Sequence, residues 1–384
     1  MTLPPIDRQA LVATRRDLHQ HPELGFEETR TSEIAAGRVE ALGYRVERNV
    51  GRTGVVATRG SGSRCVLLRA DMDGLPVEEA NDVPYRSRIP GKMHACGHDG
   101  HVAIGLEAAR RLAQIQPQGV VKFAFQPAEE VSAGAESMIA DGALETPRVD
   151  AAFGLHLWND LPVGSIGIMA GPTMASVDEL EIVVRGRGGH AAAPHQTVDP
   201  VLVAAHLVTA LQSLVSRSRD PFEQGVVSVT QIRAGHAFNV TPDHAVLRGT
   251  VRTFGGRFYK EAPELVERTA QGVAQAFGAQ AEVTFRRLTQ PLVNDERMTA
   301  LMRESALDVV GADRVVHGVR TMGGEDMSLF LARVPGCFAF VGSAPKDRAA
   351  SPHHSPTFDI DEEALVIGAD LLTRVAVRYL EVDR

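Results

Sequence analysis

Short apolar runs alternate with helical patterns in the first 160 residues of the chain. Mainly apolar runs occupy residues 65–68, 120–125 and 151–155, and each is long enough for one buried strand. Between the first two runs, residues 101–115 carry apolar side chains at roughly helical spacing. An alternation of strand, helix and strand predicts an α/β layer with parallel strands.

The pattern changes around residues 172–178. Strand patterns follow at 179–185, 226–232, 245–251 and 281–287, with helical patterns at 198–215 and 260–277. The resulting order, βαββαβ, is that of a ferredoxin-like unit. We therefore predict an inserted domain over 178–290, between the two parts of a first domain at 1–177 and 291–384.

The second part of the first domain continues the α/β pattern. A helical pattern covers 296–310, an apolar strand pattern covers 337–341, and an amphipathic helix is predicted from Asp361. At the other end of the chain, two helices are expected between residues 6 and 42, on either side of the sequence His21-Pro22-Glu23-Leu24-Gly25.

Acidic residues or histidine follow each apolar run of the first domain. Asp71 and Asp73 come after the first run, Glu129 and Glu130 after the second, and His156 after the third. In open α/β sheets, ligand sites form at the carboxyl ends of the strands. The shared position predicts one active site, although acidic residues also occupy ordinary loops after strands.

The segment at 93–101 reads Met-His-Ala-Cys-Gly-His-Asp-Gly-His and holds the densest set of metal-binding atoms. If it is extended, Cys96 and His98 lie two residues apart and their side chains point the same way. Such a pair could form half of a metal site. The alternatives are a polar loop with solvated histidines and a structural zinc site, but the latter usually needs more cysteines than Cys65, Cys96 and Cys337.

Composition and charge narrow the class of protein. The 384 residues are 44% hydrophobic and 23% charged, with a formal net charge of −8, which is typical of a globular protein in water. The sequence has no basic block of the kind that binds nucleic acid, and we expect no membrane span. Charged residues 15–17 precede any apolar run that could be a signal peptide, and three scattered cysteines form no disulfide framework, so a cytoplasmic location is expected.

Eight motifs stand in order along nearly the whole chain. They are Arg69-Ala-Asp71-Met-Asp73-Gly-Leu-Pro76, Met93-His-Ala-Cys96-Gly-His98-Asp-Gly-His101, Gln126-Pro-Ala-Glu129-Glu130, Gly154-Leu-His156, Gly188-Gly-His190-Ala, Phe238-Asn239-Val, Gly249-Thr-Val-Arg252 and His353-His354-Ser-Pro356. Together they resemble the metal-dependent amidohydrolase family that includes carboxypeptidase G and the aminoacylases. Within it, the chain is most similar to hippurate hydrolase and the indole-acetyl-amino-acid hydrolases.

The resemblance implies a site for two divalent metal ions per subunit, with zinc or manganese expected and cobalt or nickel as further options. The implied ligands are Cys96, His98, Glu130, His156 and His354. Glu129 would be the general base, and Asp73 would orient a ligand. Carboxypeptidase-like members have a His-x-Asp pair where this chain has Asp71-Met72-Asp73, so Cys96 would replace the displaced ligand, and a contact between Asp71 and metal stays open.

The resemblance also implies an architecture. The first domain would have a zinc-peptidase-like fold, with a mixed, mainly parallel sheet and helices on both faces. The ferredoxin-like α+β insert would be a lid and dimerisation domain, which implies a homodimer or a higher oligomer. The partner subunit's His190 would stabilise the oxyanion, while Asn239 and Arg252 would bind the substrate. A planar guanidinium such as that of Arg252 suits a carboxylate because it can make two parallel hydrogen bonds.

The activity implied by the resemblance is hydrolysis of the amide bond of N-acyl amino acids, such as hippurate, N-acetyl or other aryl- and alkyl-acyl compounds. Alternatives on the same fold are a dipeptidase or carboxypeptidase and an N-acetyl-diaminopimelate-type deacetylase. A metal-binding protein without catalysis is a further alternative. A thiol hydrolase would instead use Cys96 as nucleophile, with His98 or His156 as its base.

Overall fold

The computed structural model describes residues 3–115 and 117–381. In chain order its helices are α1 (Arg8–His19), α2 (Thr29–Ala41), α3 (His98–Ile115), α4 (Gly134–Ala140), α5 (Pro200–Ser213), α6 (Gly256–Ala276), α7 (Glu296–Val310), α8 (Met327–Leu331) and α9 (Glu363–Glu381). The strands are β1 (Arg45–Val50), β2 (Gly54–Ser61), β3 (Cys65–Asp71), β4 (Gly119–Gln126), β5 (Ala151–Pro162), β6 (Ile166–Gly167), β7 (Gly171–Met174), β8 (Val177–Arg185), β9 (Gly189–His190), β10 (Gly225–Ala234), β11 (Val240–Thr241), β12 (His244–Thr253), β13 (Gln280–Thr289), β14 (Leu292–Asn294), β15 (Val315–Val316) and β16 (Gly336–Ala344).

Several helices begin at an aspartate that satisfies the exposed N–H groups of the first turn. Asp7 accepts a hydrogen bond from the Ala10 N–H at the start of α1, and Asp295 does the same for Met298 in α7. At α5, Asp199 is the cap and Pro200 is the first helical residue. These are the residue types that favour a helix start, so local sequence explains where these helices begin.

The first of two compact units comprises the described residues up to 171, together with 293–319 and those from 326 onward. Its eight-stranded sheet has the order β1-β2-β4-β3-β5-β16-β6-β15. Strand β3 runs parallel to β4 and β5, and β5 runs parallel to β16, whereas β1, β2 and β4 pair in antiparallel fashion. The predicted mixed, mainly parallel sheet is therefore confirmed.

Helices cover both faces of this sheet. Every residue of β3 and of β4 is buried, as expected for strands that are covered on two sides. On one face, Phe153 and Leu155 of β5 join a core with α1, α2, α3, α7 and α9. On the other face, a Cβ atom at Gly154 would lie 3.6 Å from the Met327 side chain of α8. The expected helices on both faces are present.

The second unit comprises residues 172–292 and 320–325. It holds a four-stranded antiparallel sheet in the order β10-β12-β8-β13. Burial alternates along β8, which is typical of a sheet with one covered face, and α5 and α6 pack with it in one core. The chain order β8, α5, β10, β12, α6, β13 is the predicted ferredoxin-like order. Its roles as a lid and in dimerisation stay predictions.

One helix of the second unit bears on the expectation that the chain has no membrane span. Among the described residues, Pro200–Ser218 is long and apolar enough to cross a membrane, with a mean hydropathy of 1.3 over its most apolar window. Length and composition alone decide this test, and core helices also pass it. Because Val203, Leu207 and Leu211 of α5 are buried against the sheet, this helix contributes to the core of its unit.

Candidate metal centre

The ends of the central strands of the first unit bring the acidic side chains together. Asp71 ends β3, opposite Gln126 at the end of β4, and Glu129 follows three residues later. His156 lies in β5, which also borders β3. Asp71, Glu129 and His156 are all buried. The strand order therefore places these residues at one edge of the sheet, where sequence predicts a shared site.

The segment 93–101 is not extended around its cysteine, so the alternation of an extended chain is not what brings Cys96 and His98 together. Gly97 has a φ of +97°, a left-handed conformation that glycine adopts without steric cost. Cys96 lies in a bend, and His98 is the first residue of α3. The turn at Gly97 nevertheless makes the two side chains converge, because donor atoms of Cys96, His98 and His156 all lie within 4.8 Å of one another.

The five predicted ligands lie close together in the first unit. Cys96 Sγ is 3.4 Å from His156 Nε2, and His354 Nε2 is 3.3 Å from Glu130 Oε2. Cys96 belongs to two groups of donors that each lie within 4.8 Å of one another, the first completed by His98 and His156 and the second by Glu130 and His354. Two overlapping groups that share one thiol have the layout needed for two neighbouring cations.

Glu129 lies beside these donors. Its carboxylate belongs to a third group with His98 and Glu130, again within 4.8 Å. Glu129 and Glu130 are consecutive, yet they differ in their surroundings, since Glu130 also faces His354. This difference is compatible with the predicted roles of Glu130 as a metal ligand and Glu129 as the base.

Two buried atoms at this centre fit a bound cation. His98 Nε2 and Glu130 Oε1 have no hydrogen-bond partner among the residues that the structure describes, although they lie only 3.9 Å apart. Buried polar atoms without partners are rare in folded proteins because they cost free energy. A divalent cation bound by both atoms would remove that cost, and thiolate, imidazole and carboxylate donors suit zinc and manganese.

Backbone carbonyls orient two of the histidine rings. His98 Nδ1 lies 2.9 Å from the Asp73 carbonyl oxygen, and His156 Nδ1 lies 2.7 Å from that of Leu157. A ring that donates its Nδ1–H to a carbonyl presents Nε2 as an acceptor, which is the usual arrangement for a histidine ligand. Both rings are thus prepared for a cation before it binds.

His101 and Asp71 form a further possible donor group with His98, but hydrogen-bonding partners within the protein already occupy both side chains. The Leu157 N–H donates to His101 Nε2 at 2.9 Å, so the ring must carry its proton on Nδ1, which lies 2.5 Å from Asp71 Oδ1. The other oxygen of Asp71 accepts from Arg69 at 2.5 Å. We therefore assign Asp71 and His101 to support of the strand ends near His156.

The charges of the centre favour protonated donors when no cation is present. Burial raises the pKa of the Cys96 thiol well above its ordinary value, and the carboxylates of Glu130 and Glu129 add to the effect. Burial alone would lower the pKa of His98, but Asp71, Asp73 and Glu130 outweigh it and raise that pKa to about 10. A cation would therefore bind in exchange for protons.

Asp73 supports the segment that carries both glutamates. Its Oδ1 accepts a hydrogen bond from the Glu129 N–H at 3.1 Å, and its Oδ2 accepts one from the Glu130 N–H at 3.0 Å. Its carbonyl also orients His98. Asp73 is 1% exposed, so the predicted role of orienting a ligand agrees with its contacts.

The second unit brings only some of its predicted substrate residues together. His190 in β9 pairs with Val240 in β11, and the Ala191 N–H donates to the Asn239 carbonyl at 3.0 Å. Arg252 lies near the far end of β12, eight residues beyond its start at His244, which is roughly 26 Å along a strand. His190 and Asn239 are exposed, whereas Arg252 is half-buried.

Sequence reasoning missed Asp326, a fully buried carboxylate of the first unit. Asp326 Oδ1 accepts from Arg69 at 3.1 Å and from Gln126 at 2.7 Å, and Oδ2 accepts from the Ala135 N–H at 3.0 Å. It thereby ties the ends of β3 and β4 together. The only local signal was the Gly323-Gly324 turn, which does not indicate such contacts.

His353 packs beside the proposed ligands Cys96 and His354. Its Nδ1 lies 3.8 Å from Cys96 Sγ, its Nε2 accepts from the Asn159 N–H at 3.3 Å, and its ring stacks on Trp158. Burial and the neighbouring His354 lower its pKa to about 3. A neutral His353 thus lies beside the thiol.

Comparison with known proteins agrees with this geometry. The model of peptidase family M20/M25/M40 matches residues 67–378. The N-acetylcysteine deacetylase of Bacillus subtilis is 39% identical and 97% of each chain is covered, and the IAA-amino acid hydrolase ILR1-like 4 of Arabidopsis thaliana is 39% identical over 96% of this chain and 86% of its own. The solved structure of the YXEP protein of Bacillus subtilis, described as a dinuclear metal binding peptidase from the M20 family, matches with a TM-score of 0.85 and 36% identity over 98% of this chain and 99% of that one.

The resemblance found in the sequence is thus confirmed over nearly the whole chain. The family model spans residues 67–378, and the N-acetylcysteine deacetylase matches along 97% of its length. Both comparisons support the same family. The chain belongs to peptidase family M20/M25/M40, a family of hydrolases that act on amide bonds.

Proposed function

We propose that this protein hydrolyses the amide bond of N-acyl amino acids, with two divalent metal ions per subunit. The proposed ligands are Cys96, His98, Glu130, His156 and His354, and the proposed base is Glu129. The observation that carries the proposal is the pair of donor groups that share Cys96, with the Glu129 carboxylate beside them. The names of two relatives, an N-acetylcysteine deacetylase and an IAA-amino acid hydrolase, support the substrate class.

The chemistry divides between the metal ions and Glu129. When bound, divalent ions lower the pKa of water and polarise a carbonyl oxygen. Glu129 lies within reach of the same donors, so it is placed to accept a proton from the attacking water and to return it to the leaving amine. Zinc or manganese suits this donor set, and cobalt and nickel are acceptable on the same grounds.

The second unit would supply substrate recognition. We assign the substrate carboxylate to Arg252, because a guanidinium can bind a carboxylate with two charge-assisted hydrogen bonds. Asn239 would bind the substrate as well, and the partner subunit's His190 would stabilise the oxyanion. Arg252 lies roughly 26 Å along β12 from its start at His244, whereas Asn239 lies just before β11. We therefore propose that residues of two copies complete the site.

A homodimer formed through the second unit is therefore part of the proposal, with a higher oligomer as an alternative. Val201 and Leu202 of α5 and Phe277, which follows α6, are apolar side chains that are 44%, 48% and 39% exposed. Apolar surface of this kind is often covered by a partner. A cytoplasmic location also stays proposed, supported by the free thiols of Cys65, Cys96 and Cys337.

The thiol hydrolase is the alternative from another class. A nucleophilic cysteine needs a lowered pKa so that the thiolate is present at neutral pH. The pKa of Cys96 is raised instead, by burial and by Glu130 and Glu129. This electrostatic setting disfavours Cys96 as a nucleophile in the metal-free protein.

Substrate assays with a variant of the base test the proposal. The protein would be loaded with zinc, manganese, cobalt or nickel and offered N-acetyl, benzoyl and indole-acetyl amino acids beside dipeptides. Glu129→Gln should lower kcat by about 100-fold or more, since general-base catalysis contributes that much, while the metal content is retained. Glu136→Gln, at an exposed glutamate on α4 that pairs with Arg333, is the matched control. Retained turnover in Glu129→Gln would remove the assigned base, and activity only on dipeptides would favour the peptidase alternative.

A further inference from the structure

A buried glutamate outside the proposed metal site lies close to the base. Glu28 is 0% exposed and stands at the N-cap of α2, yet its side chain makes no capping hydrogen bond. Glu23 takes that role, accepting from the N–H groups of Arg30 and Thr31 at 2.8 Å each. The carboxylate of Glu28 is thus directed away from α2, although Glu28 is the N-cap residue of that helix.

The Glu28 carboxylate binds the residue immediately before the base. Its Oε1 accepts a hydrogen bond from the Ala128 N–H at 2.8 Å, and its Oε2 accepts one from the Thr53 hydroxyl at 2.5 Å. Both oxygens therefore have partners in distant parts of the chain. These contacts fix the Glu28 carboxylate, and the carboxylate in turn holds the peptide group between Pro127 and Ala128.

Ala128 has a backbone conformation that needs such support. Its φ is +52°, a left-handed conformation that residues other than glycine rarely adopt, and the residue is fully buried. Its carbonyl oxygen accepts from the N–H groups of Ala133 and Gly134 at 3.2 Å each. Strained residues persist where surrounding contacts hold them. Here the left-handed conformation of Ala128 turns the chain between the end of β4 and Glu129.

Three consecutive N–H groups end on two buried carboxylates. The N–H of Ala128 is bound by Glu28, and those of Glu129 and Glu130 are bound by the two oxygens of Asp73. Because each peptide plane is held, the directions in which the two glutamate side chains leave the backbone are also set. Glu28 and Asp73 together therefore hold three consecutive peptide groups.

The segment 23–28 also contacts the residues after β3, next to Asp73. The Gly74 N–H donates to the Glu23 carbonyl at 2.7 Å, and Leu24 and Gly74 form a parallel bridge. A Cβ atom at Gly25 would lie 3.1 Å from the Ala128 Cα atom, so glycine allows the close approach. One short segment therefore packs against the two segments that position the glutamates.

From these contacts we infer that Glu28 is a positioning residue for Glu129. It holds the Ala128 peptide in its left-handed conformation, so that the Glu129 carboxylate points at the reacting water. The inference rests on the proposed function for the role of Glu129, but the contact itself can be tested without substrate.

Two substitutions at position 28 and one control separate positioning from general stability. Glu28→Ala removes both acceptors. Glu28→Gln keeps an acceptor for the Ala128 N–H and offers an amide N–H to the Thr53 hydroxyl, so it should restore the wild-type behaviour. Glu23→Ala is the matched control, because it removes a carboxylate from the same segment that caps α2 and whose hydrogen bonds go to residues 29–31.

Amide hydrogen exchange in the metal-free protein is the first readout. In Glu28→Ala the peptide that spans 126–132 should exchange about tenfold faster or more, because loss of a supporting contact raises local opening. The same peptide in Glu28→Gln and Glu23→Ala should exchange at the wild-type rate. Unchanged protection in Glu28→Ala would overturn the inference, whether or not the protein cleaves any tested amide.

Steady-state kinetics on the N-acyl amino acid that the wild type cleaves best is the second readout. Glu28→Ala should lower kcat roughly 10- to 100-fold, the cost of a misplaced catalytic group, with KM and metal content close to wild type and kcat recovered in Glu28→Gln. An equal loss of kcat in Glu23→Ala, or none in Glu28→Ala, would contradict the inference. A wild type inactive on every N-acyl amino acid would reject the proposed function, while the exchange rates would still decide whether Glu28 holds the segment.

Discussion

The two units hold their candidate functional residues in different ways. In the first unit the base and four of the five proposed ligands are buried or nearly so, and His354 is the exposed ligand. Backbone or carboxylate contacts fix several of them, as with His98, His156 and Glu129. In the second unit His190 and Asn239 are exposed on a two-stranded ribbon. A site needs prior order where its chemistry depends on geometry. Under the proposed function, the first unit would hold the metal ions and the base, and the second unit would add substrate binding and the partner subunit's His190 at the oxyanion.

Asp73 tests this difference with the largest expected effect. Asp73→Ala would leave the buried N–H groups of Glu129 and Glu130 without their acceptors. We expect kcat to fall roughly 100-fold, since small displacements of catalytic groups cost this much, and metal affinity to fall roughly 10- to 100-fold. Rapid kinetics and metal titration measure the two effects, and Asp82→Ala at an exposed aspartate is the control. Near-wild-type kcat would show that the glutamate segment does not depend on Asp73.

Arg252 tests the second unit, where binding should change and chemistry should not. Arg252→Ala should raise KM for an N-acyl amino acid about 10- to 100-fold, as expected for loss of a charge-assisted hydrogen bond, with metal content unchanged. Arg248→Ala is a matched control, because Arg248 lies on the same strand, four residues away, and pairs with Glu181. A fall in metal content, or an equal rise of KM in the control, would remove the contrast between the units.

For the first unit, we expect pH to have a smaller effect on metal binding than Asp73→Ala has. The pKa of Cys96 is raised and that of His98 is about 10, so both groups carry protons at pH 7 in the metal-free protein. Each must lose its proton to bind a cation, and the hydrogen bond to Glu130 also raises the pKa of the proposed ligand His354. Metal affinity should therefore fall as the pH falls, with at least about two protons released per chain at pH 7. Calorimetry in buffers of different ionisation enthalpy counts these protons. Binding without proton release would contradict the assigned ligands.

The buried strands of the first unit, and the meeting of the residues that follow them, can be predicted from the sequence. Apolar runs in parallel strands are readable because burial on both faces leaves a continuous pattern, and the residues that follow them must meet at one edge of the sheet. The ligand set, by contrast, depended on the resemblance. Residue types alone left the cluster at 93–101 open among several kinds of site.

Other features could not be predicted because they depend on contacts between distant segments. Glu28 and Ala128 are hydrogen-bonded although they lie 100 residues apart, and Asp326 and Ala135 are hydrogen-bonded although they lie 191 residues apart. No local sequence pattern therefore marks either pair. The left-handed turn at Gly97 was missed for a related reason. A glycine permits that conformation but does not require it, and the packing around it decides.

Metal content of a Cys96→Ser variant tests the central claim most directly. Cys96 belongs to both donor groups, and a serine hydroxyl is a far weaker ligand than a thiolate. We expect the variant, purified beside Cys65→Ser as a buried-cysteine control, to lose at least about half of the metal bound by the wild type, because one shared ligand serves both positions. Full metal occupancy with lost turnover would contradict the account and would favour the thiol hydrolase with Cys96 as nucleophile.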